Sequence, residues 1–159
     1  MDKKVLLFRR MMTAALALLI ALTLAFIWHN SFEKKSDSAQ KSSYVTEKIV
    51  KPVAEPIVGP GKVTDHGVRK MAHMVEFFLL GTEVTLLLAV RGLLCGPGFS
   101  GAMLFGVLTA MTDETIQLYS DRGSQLTDVW LDSASFAAAL LLSGLVCFLF
   151  IRRMRKKVA

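Results

Sequence analysis

The sequence predicts an all-α integral membrane protein, a bundle of four transmembrane helices. Hydrophobic residues make up 53% of the chain, above the roughly 45–50% of an ordinary soluble domain. They form four apolar runs, at residues 11–28, 68–90, 99–119 and 127–151. Each run is close to the roughly 20 helical residues that cross a bilayer core. Basic residues cluster outside the first and last runs, where such charges orient helices in a membrane.

The first apolar run is interpreted as a retained helix rather than a cleaved signal peptide. It is longer than the apolar core of a signal peptide, about 7–15 residues, and no small-x-small cleavage site follows it. Trp28 at its end is a natural interface anchor. The chain then divides into an N-terminal transmembrane helix, an extracytoplasmic loop, a three-helix core and a basic cytoplasmic tail, at residues 1–28, 29–67, 68–151 and 152–159.

Residues 29–67 have a different composition from the apolar runs. They are rich in Ser, Lys and Glu, and they contain prolines at Pro52, Pro56 and Pro60. Such a segment holds too few apolar residues to form a core of its own. We therefore predict a solvated, partly extended connector with one short amphipathic segment over residues 45–50.

The net charge of +6 indicates a membrane surface rather than a nucleic acid as the partner. The basic residues lie beside the apolar runs, and no basic motif interleaved with aromatic residues is present. Because both termini are basic and close to a helix, both are predicted to be cytoplasmic. Four spans then place residues 29–67 and 120–126 outside and residues 91–98 inside.

Polar side chains interrupt the last three runs at positions that this topology brings to one membrane depth. They lie near the start of the second and fourth runs and near the end of the third, which crosses in the opposite direction. Charged groups in a bilayer cost about 2.5–3.5 kcal/mol each on insertion scales, so they usually face the interior and pair. The residues predicted to converge are Lys70, His73, Glu76, Asp113, Glu114, Gln117, Arg122, Asp128 and Asp132.

Helical phase agrees with this convergence. At about 100° per residue, His73 and Glu76 share one helix face, and Asp128 and Asp132 are an i, i+4 pair on another. Glu83, two turns below Glu76, is predicted to be a neutral acid hydrogen-bonded inside the bundle. The stripe below Asp132 continues with small residues that favour close helix packing, at Ser135, Ala139 and Ser143.

The polar cluster has more than one interpretation. It is either an ion-pair network that locks helices together or a ligand or catalytic site, because several neighbouring carboxylates need a cation, a proton or a metal to neutralise them. A metal shell would be rich in oxygen and would suit Mg²⁺ or Ca²⁺. Only one histidine takes part, so we assign no metal ligand and leave the cofactor open. The residues available to such a shell are His73, Glu76, Glu114, Asp128 and Asp132.

The polar segments contain these motifs in chain order: Arg69-Lys70-x-x-His73-x-x-Glu76-Phe77, Leu80-Gly81, Asp113-Glu114-x-x-Gln117, Arg122 and Asp128-x-x-x-Asp132. They resemble the segments of the VanZ-like family of small bacterial membrane proteins. Three motifs in this order, over about residues 66–140, are a specific signal. The family often has glycines where this chain has Ser135 and Ala139, which are still small.

The resemblance implies a multi-helix protein of the bacterial plasma membrane with a link to glycopeptide (teicoplanin) resistance. The leading hypothesis is action at the outer leaflet on a cell-envelope amphiphile, such as a lipid-linked wall precursor or a lipoglycopeptide. His73 would transfer a proton or donate a hydrogen bond, Arg122 would contact an anion, and Glu114 and Asp128 would form an acid pair. Glu76 completes the candidate catalytic group, and the candidate ligand-binding residues are Arg69, Lys70, Asp113, Gln117, Arg122 and Asp132.

Two other functions stay open at this point. The same residues would serve a metal-assisted hydrolase or phosphotransfer enzyme, or they would form the polar network of a purely structural bundle. Membrane lipids, a lipid-linked envelope precursor and a glycopeptide are the candidate partners. The Phe and Leu content of the helices permits a homo-oligomer without requiring one.

Overall fold

The structure, a computed structural model, describes residues 3–120 and 125–158. Within these ranges the chain contains helices and no strand, which confirms the all-α class. The helices are α1 (Lys3–Phe32), α2 (Lys35–Val45), a short π-helical segment (Thr46–Val50), α3 (Lys51–Val58), α4 (Asp65–Arg91), α5 (Pro97–Tyr119) and α6 (Leu126–Val158).

Three of the described helices are long and apolar enough to cross a membrane, namely α1, α4 and α6. The sequence predicts four spans, and α5 is the helix that does not meet this criterion. It has 23 residues, but its last two turns carry Asp113 and Glu114 and its first turns carry several glycines. A helical bundle is therefore confirmed, with three candidate spans.

Local capping explains where α4 begins and ends. Thr64 precedes the helix with extended backbone, and its side chain accepts a hydrogen bond from the Gly67 backbone N–H, as a helix N-cap does. Gly92 ends the helix in the left-handed region, at φ 72°, where glycine is favoured. The helix thus starts three residues before the predicted apolar run, which brings Asp65 into its first turn.

Residues 29–67 are mostly helical rather than extended. Helix α1 continues to Phe32, and residues 35–58 form a helical arm that packs against α4. Three small polar residues at i, i+4 spacing (Ser38, Ser42 and Thr46) make its buried stripe. Ser42 also donates a hydrogen bond to the Asp65 carbonyl, at 3.2 Å. Packing against α4 orders a segment whose composition alone indicates a solvated connector.

Helices α4, α5 and α6 approach one another most closely around Phe136. A Cβ atom on Gly81 would lie 2.7 Å from the Phe136 carbonyl oxygen and 2.8 Å from the Ala139 Cβ, and one on Gly106 would overlap the Phe136 ring. The predicted small stripe on α6 is present in this contact, because Ala139 is fully buried against Gly81. Ser143 continues the stripe and donates a hydrogen bond to Thr82.

Helices α1 and α4 run antiparallel and touch at both ends. Near the start of α1, Arg9 donates hydrogen bonds to the carbonyls of Val90 and Arg91 at the end of α4. At the other end, Asn30 in the last turn of α1 donates to Glu76 in the first half of α4. This alignment places the C-terminal turn of α1 beside the polar residues of α4.

Candidate functional site

The site is centred on His73, where the end of α1 and the polar stretches of α4, α5 and α6 meet. The His73 Nδ1 atom lies 3.5 Å from Glu76 Oε2 and 3.8 Å from Asp113 Oδ2. The side chains of His73 and Glu76 are 16% and 15% exposed, whereas Asp113 is fully buried. His73 therefore links a partly open surface to the interior of the bundle.

Asp113 is oriented by donors from two helices. The Ser31 hydroxyl of α1 donates to Asp113 Oδ1 at 2.5 Å, and the Gln117 side-chain amide donates to Asp113 Oδ2 at 2.8 Å. The Asp113–Gln117 contact is the i, i+4 spacing of neighbours on one helix face. Both carboxylate oxygens of Asp113 are thus held in place before any ligand arrives.

Two residues of α1 belong to the site and are not anticipated by the sequence. Asn30 donates to Glu76 Oε1 at 3.0 Å, and Ser31 donates to Asp113. Both lie in the segment predicted as a loop after Trp28. The signal that identifies Ser31 is its spacing, four residues after Ile27, which places it on the same helix face. Ile27 and Ser31 are both fully buried.

Asp132 contributes a third buried carboxylate from α6. The residue is 2% exposed, and one of its oxygens lies within 4.8 Å of ligand atoms of both His73 and Asp113. Four other carboxyl groups are close enough to interact with it electrostatically, those of Asp113, Glu114, Asp128 and Glu76. The centre of the site is therefore rich in carboxyl groups.

The other predicted residues that the structure describes lie around this centre. Lys70 forms an ion pair with Asp128 at 2.5 Å, with both side chains partly exposed. Glu114 accepts a hydrogen bond from the Gln125 backbone N–H at 3.0 Å. Glu114 and Asp128, predicted as an acid pair, thus each contact a different group. Arg122, the predicted anion contact, lies outside the described residues.

An open cleft leads to His73 and Glu76 from the side of the helical arm. Its volume is about 280 Å³. The cleft lies between the end of α1, the arm and the first half of α4, so residues from three segments of the chain form its walls. Its lining consists of Asn30, Glu33, Ser38, Lys41, Ser42, Val45, Val68, Arg69, Ala72, His73 and Glu76.

The lining of the cleft combines charged and apolar groups. Arg69 and Lys41 supply positive charge at its walls, although Lys41 also pairs with Glu33. Val45 and Val68 supply apolar surface. Glu33 and Glu76 supply negative charge on the same lining. Guanidinium and ammonium groups bind phosphate oxygens strongly.

Glu83 lies apart from this site. Thr23 of α1 donates a hydrogen bond to Glu83 Oε1 at 2.9 Å, which makes the residue part of the α1–α4 contact. The nearby Thr82 and Thr85 hydroxyls instead donate to backbone carbonyls one turn earlier in α4. The predicted hydrogen bond inside the bundle is present, and its donor comes from the neighbouring helix.

Comparison with known proteins assigns a family. A family model described as VanZ/LLP1 matches residues 11–150, a range that includes most of α1, the helical arm, the cleft and most of α6. No curated protein and no solved structure gives a significant match to the chain. The family match confirms the resemblance carried by the polar motifs. With three apolar helices of sufficient length, the chain is a multi-pass membrane protein that belongs to the VanZ/LLP1 family.

Proposed function

We propose that this protein acts at the outer leaflet of a bacterial plasma membrane on a cell-envelope amphiphile and so contributes to glycopeptide (teicoplanin) resistance. The observation that carries the proposal is the open cleft with His73 and Glu76 on its lining. The amphiphile is a lipid-linked wall precursor or a lipoglycopeptide. The family membership supports the resistance context.

The proposed topology has four membrane spans and both termini in the cytoplasm. At about 1.5 Å per residue, the 23 residues of α5 extend about 34 Å, enough for a hydrocarbon core of about 30 Å. Its two acidic residues, Asp113 and Glu114, are 0% and 4% exposed and so are shielded from lipid. The basic flanks of α1 and α6 favour the cytoplasmic side for both ends.

This topology puts the cleft at the level of the lipid head groups. His73 is eight residues into α4, about 12 Å from the helix start, so it lies near the membrane interface. The helical arm supports the same depth, because an exposed apolar stripe at i, i+4 spacing is typical of helices that lie on a bilayer. The stripe consists of Ile49, Val53 and Ile57, which are 58%, 69% and 82% exposed.

Different residues of the cleft would contact different parts of a bound amphiphile. Arg69 and Lys41 would contact a phosphate or pyrophosphate group, and Val45 and Val68 would contact the first carbons of the lipid. His73 would donate a hydrogen bond or transfer a proton to the bound head group. Glu76, held by Asn30, would set the orientation of the His73 ring.

Antibiotic susceptibility in a sensitive Gram-positive host tests the proposal. The host expresses the wild type, Glu76→Gln, His73→Ala or Glu83→Gln at equal membrane abundance, and the readout is the minimum inhibitory concentration of teicoplanin. The wild type should raise tolerance, and Glu76→Gln and His73→Ala should lose it. Glu83→Gln is the matched control, because it alters a carboxylate on the same helix outside the cleft.

Two results would contradict the proposal. One is a minimum inhibitory concentration that neither the wild type nor any variant changes, which would separate this chain from glycopeptide tolerance. The other is equal tolerance with the wild type and both cleft variants, which would mean that the cleft is not involved. A loss of membrane abundance in both cleft variants, even at raised expression, would favour a purely structural polar network.

A further inference from the structure

Three helices each direct one metal-ligand type of side chain into the same small volume. His73 of α4, Asp113 of α5 and Asp132 of α6 offer one ligand atom each, and these atoms all lie within 4.8 Å of one another. Two ligands bonded at about 2.1 Å to a tetrahedral ion lie about 3.4 Å apart. The 3.8 Å between His73 Nδ1 and Asp113 Oδ2 is already close to that separation.

The environment of the buried Asp132 carboxylate is a second observation that points to a ligand. It is 2% exposed, and among residues 3–120 and 125–158 no side chain or backbone N–H donates a hydrogen bond to it. A buried carboxylate without a hydrogen bond is costly. The neighbouring Asp113, by contrast, receives two hydrogen bonds. A cation bound between the two aspartates would supply the interaction that Asp132 lacks.

The surrounding charges favour a dication at this position. Four carboxyl groups interact electrostatically with Asp132, and the ammonium group of Lys70 pairs with Asp128. A divalent ion touching two carboxylates removes two charges at once and lowers the repulsion felt by the others.

The hydrogen bonds that orient the side chains of the cluster are of the kind found around metal ligands in proteins. Ligand side chains are usually held by a second layer of hydrogen bonds that sets their orientation. Asp113 has this layer on both oxygens, from Ser31 and Gln117. His73 reaches the open cleft as well as the buried cluster, so an ion could reach this point through the cleft and would keep an accessible coordination position.

We infer that His73, Asp113 and Asp132 form a binding site for one divalent transition-metal ion of the Zn²⁺ or Mn²⁺ type. One imidazole nitrogen with two carboxylate oxygens suits these ions, whereas Mg²⁺ and Ca²⁺ prefer oxygen ligands alone. Glu114 and Asp128, which the sequence makes available to a metal shell, are assigned no ligand role. Glu114 accepts a hydrogen bond from the Gln125 backbone N–H and Asp128 pairs with Lys70, whereas the group of ligand atoms within 4.8 Å consists of His73, Asp113 and Asp132.

Metal binding to the purified full chain in detergent tests this inference. The protein is stripped with a chelator, dialysed, and titrated with Zn²⁺ or Mn²⁺, with metal content measured by mass spectrometry and bound Mn²⁺ by electron paramagnetic resonance. The wild type should bind about one equivalent and unfold at a higher temperature with metal than without it. Asp132→Asn should lose both effects.

Asp128→Asn is the matched control, because it makes the same chemical change four residues earlier on the same helix. It should retain one bound equivalent. If Asp132→Asn does not yield folded protein, His73→Gln replaces it and should lose the metal in the same way.

Two outcomes would overturn the inference. One is a wild type that binds neither ion and shows no rise in its unfolding temperature. The other is loss of binding in Asp128→Asn equal to that in the ligand variants, which would indicate attraction by the acidic cluster as a whole. Either outcome leaves the teicoplanin test untouched, since that test does not depend on bound metal.

Discussion

At the scale of single residues, Asp113 connects the site to the bundle. It is fully buried and accepts hydrogen bonds from Ser31 on α1 and Gln117 on α5, while His73 on α4 approaches it to 3.8 Å. A buried carboxylate that loses a donor keeps its desolvation penalty without the compensating bond. The Ser31 hydroxyl, a small group outside the family-like motifs, therefore has a defined structural role.

Ser31→Ala should destabilise the protein by about 1–3 kcal/mol, because it removes one donor from the buried Asp113 carboxylate. Thermal unfolding of the purified protein in detergent would measure the change. Ser36→Ala is the control, because the Ser36 hydroxyl bonds Asp37 on an exposed face of the arm, and it should be nearly neutral. Equal stability of Ser31→Ala and the control would mean that this hydrogen bond does not hold the site together.

At the scale of helices, close packing around Phe136 sets the positions of the site residues. Gly81 on α4 and Gly106 on α5 both face Phe136 without room for a side chain. Asp132 lies one turn before Phe136 on α6, so the contact that admits the Phe136 ring also brings Asp132 to α4 and α5. The family-like Leu80-Gly81 pair therefore contributes to the site through packing.

Gly106→Ala should cost about 1–3 kcal/mol, because the added methyl group would overlap the Phe136 ring in a packed interior. Gly101→Ala on the same helix is the control, since nothing lies within 4 Å of its added Cβ. It should be neutral or stabilise the helix by up to about 1 kcal/mol. The readout is the unfolding temperature in detergent, and a Gly106→Ala protein as stable as the Gly101→Ala protein would contradict the close packing around Phe136.

At the scale of the whole molecule, the polar site lies at one end of the bundle. The opposite end is marked by the Arg9 hydrogen bonds to the last carbonyls of α4 and by the exposed Cys95 between α4 and α5. If the four-span arrangement holds, the site faces the outside and Cys95 faces the cytoplasm. The orientation of the protein in the membrane thus decides which leaflet the cleft faces.

Cysteine labelling of intact cells would determine the orientation of the protein in the membrane. In a Cys147→Ala background, a membrane-impermeant maleimide should label Gln40→Cys and Gln125→Cys, whereas the native Cys95 should react only after permeabilisation. The label at Gln125→Cys is the specific test of α5 as a span, because this position follows α5 in the chain. Labelling of Cys95 in intact cells, with protection of both introduced cysteines, would reverse the orientation.

The sequence predicts most of the fold because the physical signals are local. Apolar runs of the length of a bilayer locate α1, α4 and α6, although α4 begins at Asp65 rather than at residue 68 because Thr64 caps it. The helical arm is not predicted, because the signal that orders it is not local. In the sequence, Ser38, Ser42 and Thr46 indicate a solvated segment. In the structure they are buried, because the arm packs against α4.

By itself, the sequence determined the helical class and the family, because periodicity and motif order can be read along the chain. It also identified Glu76, Asp113 and Asp132 as neighbours of His73. Only the tertiary structure decided how these residues are paired. It joined Ser31 and Asn30 of α1 to the site, gave Glu114 and Asp128 separate partners and left Asp132 facing His73 and Asp113. Pairing depends on distances of a few ångströms between helices that are far apart in sequence, and spacing along one helix carries no information about them.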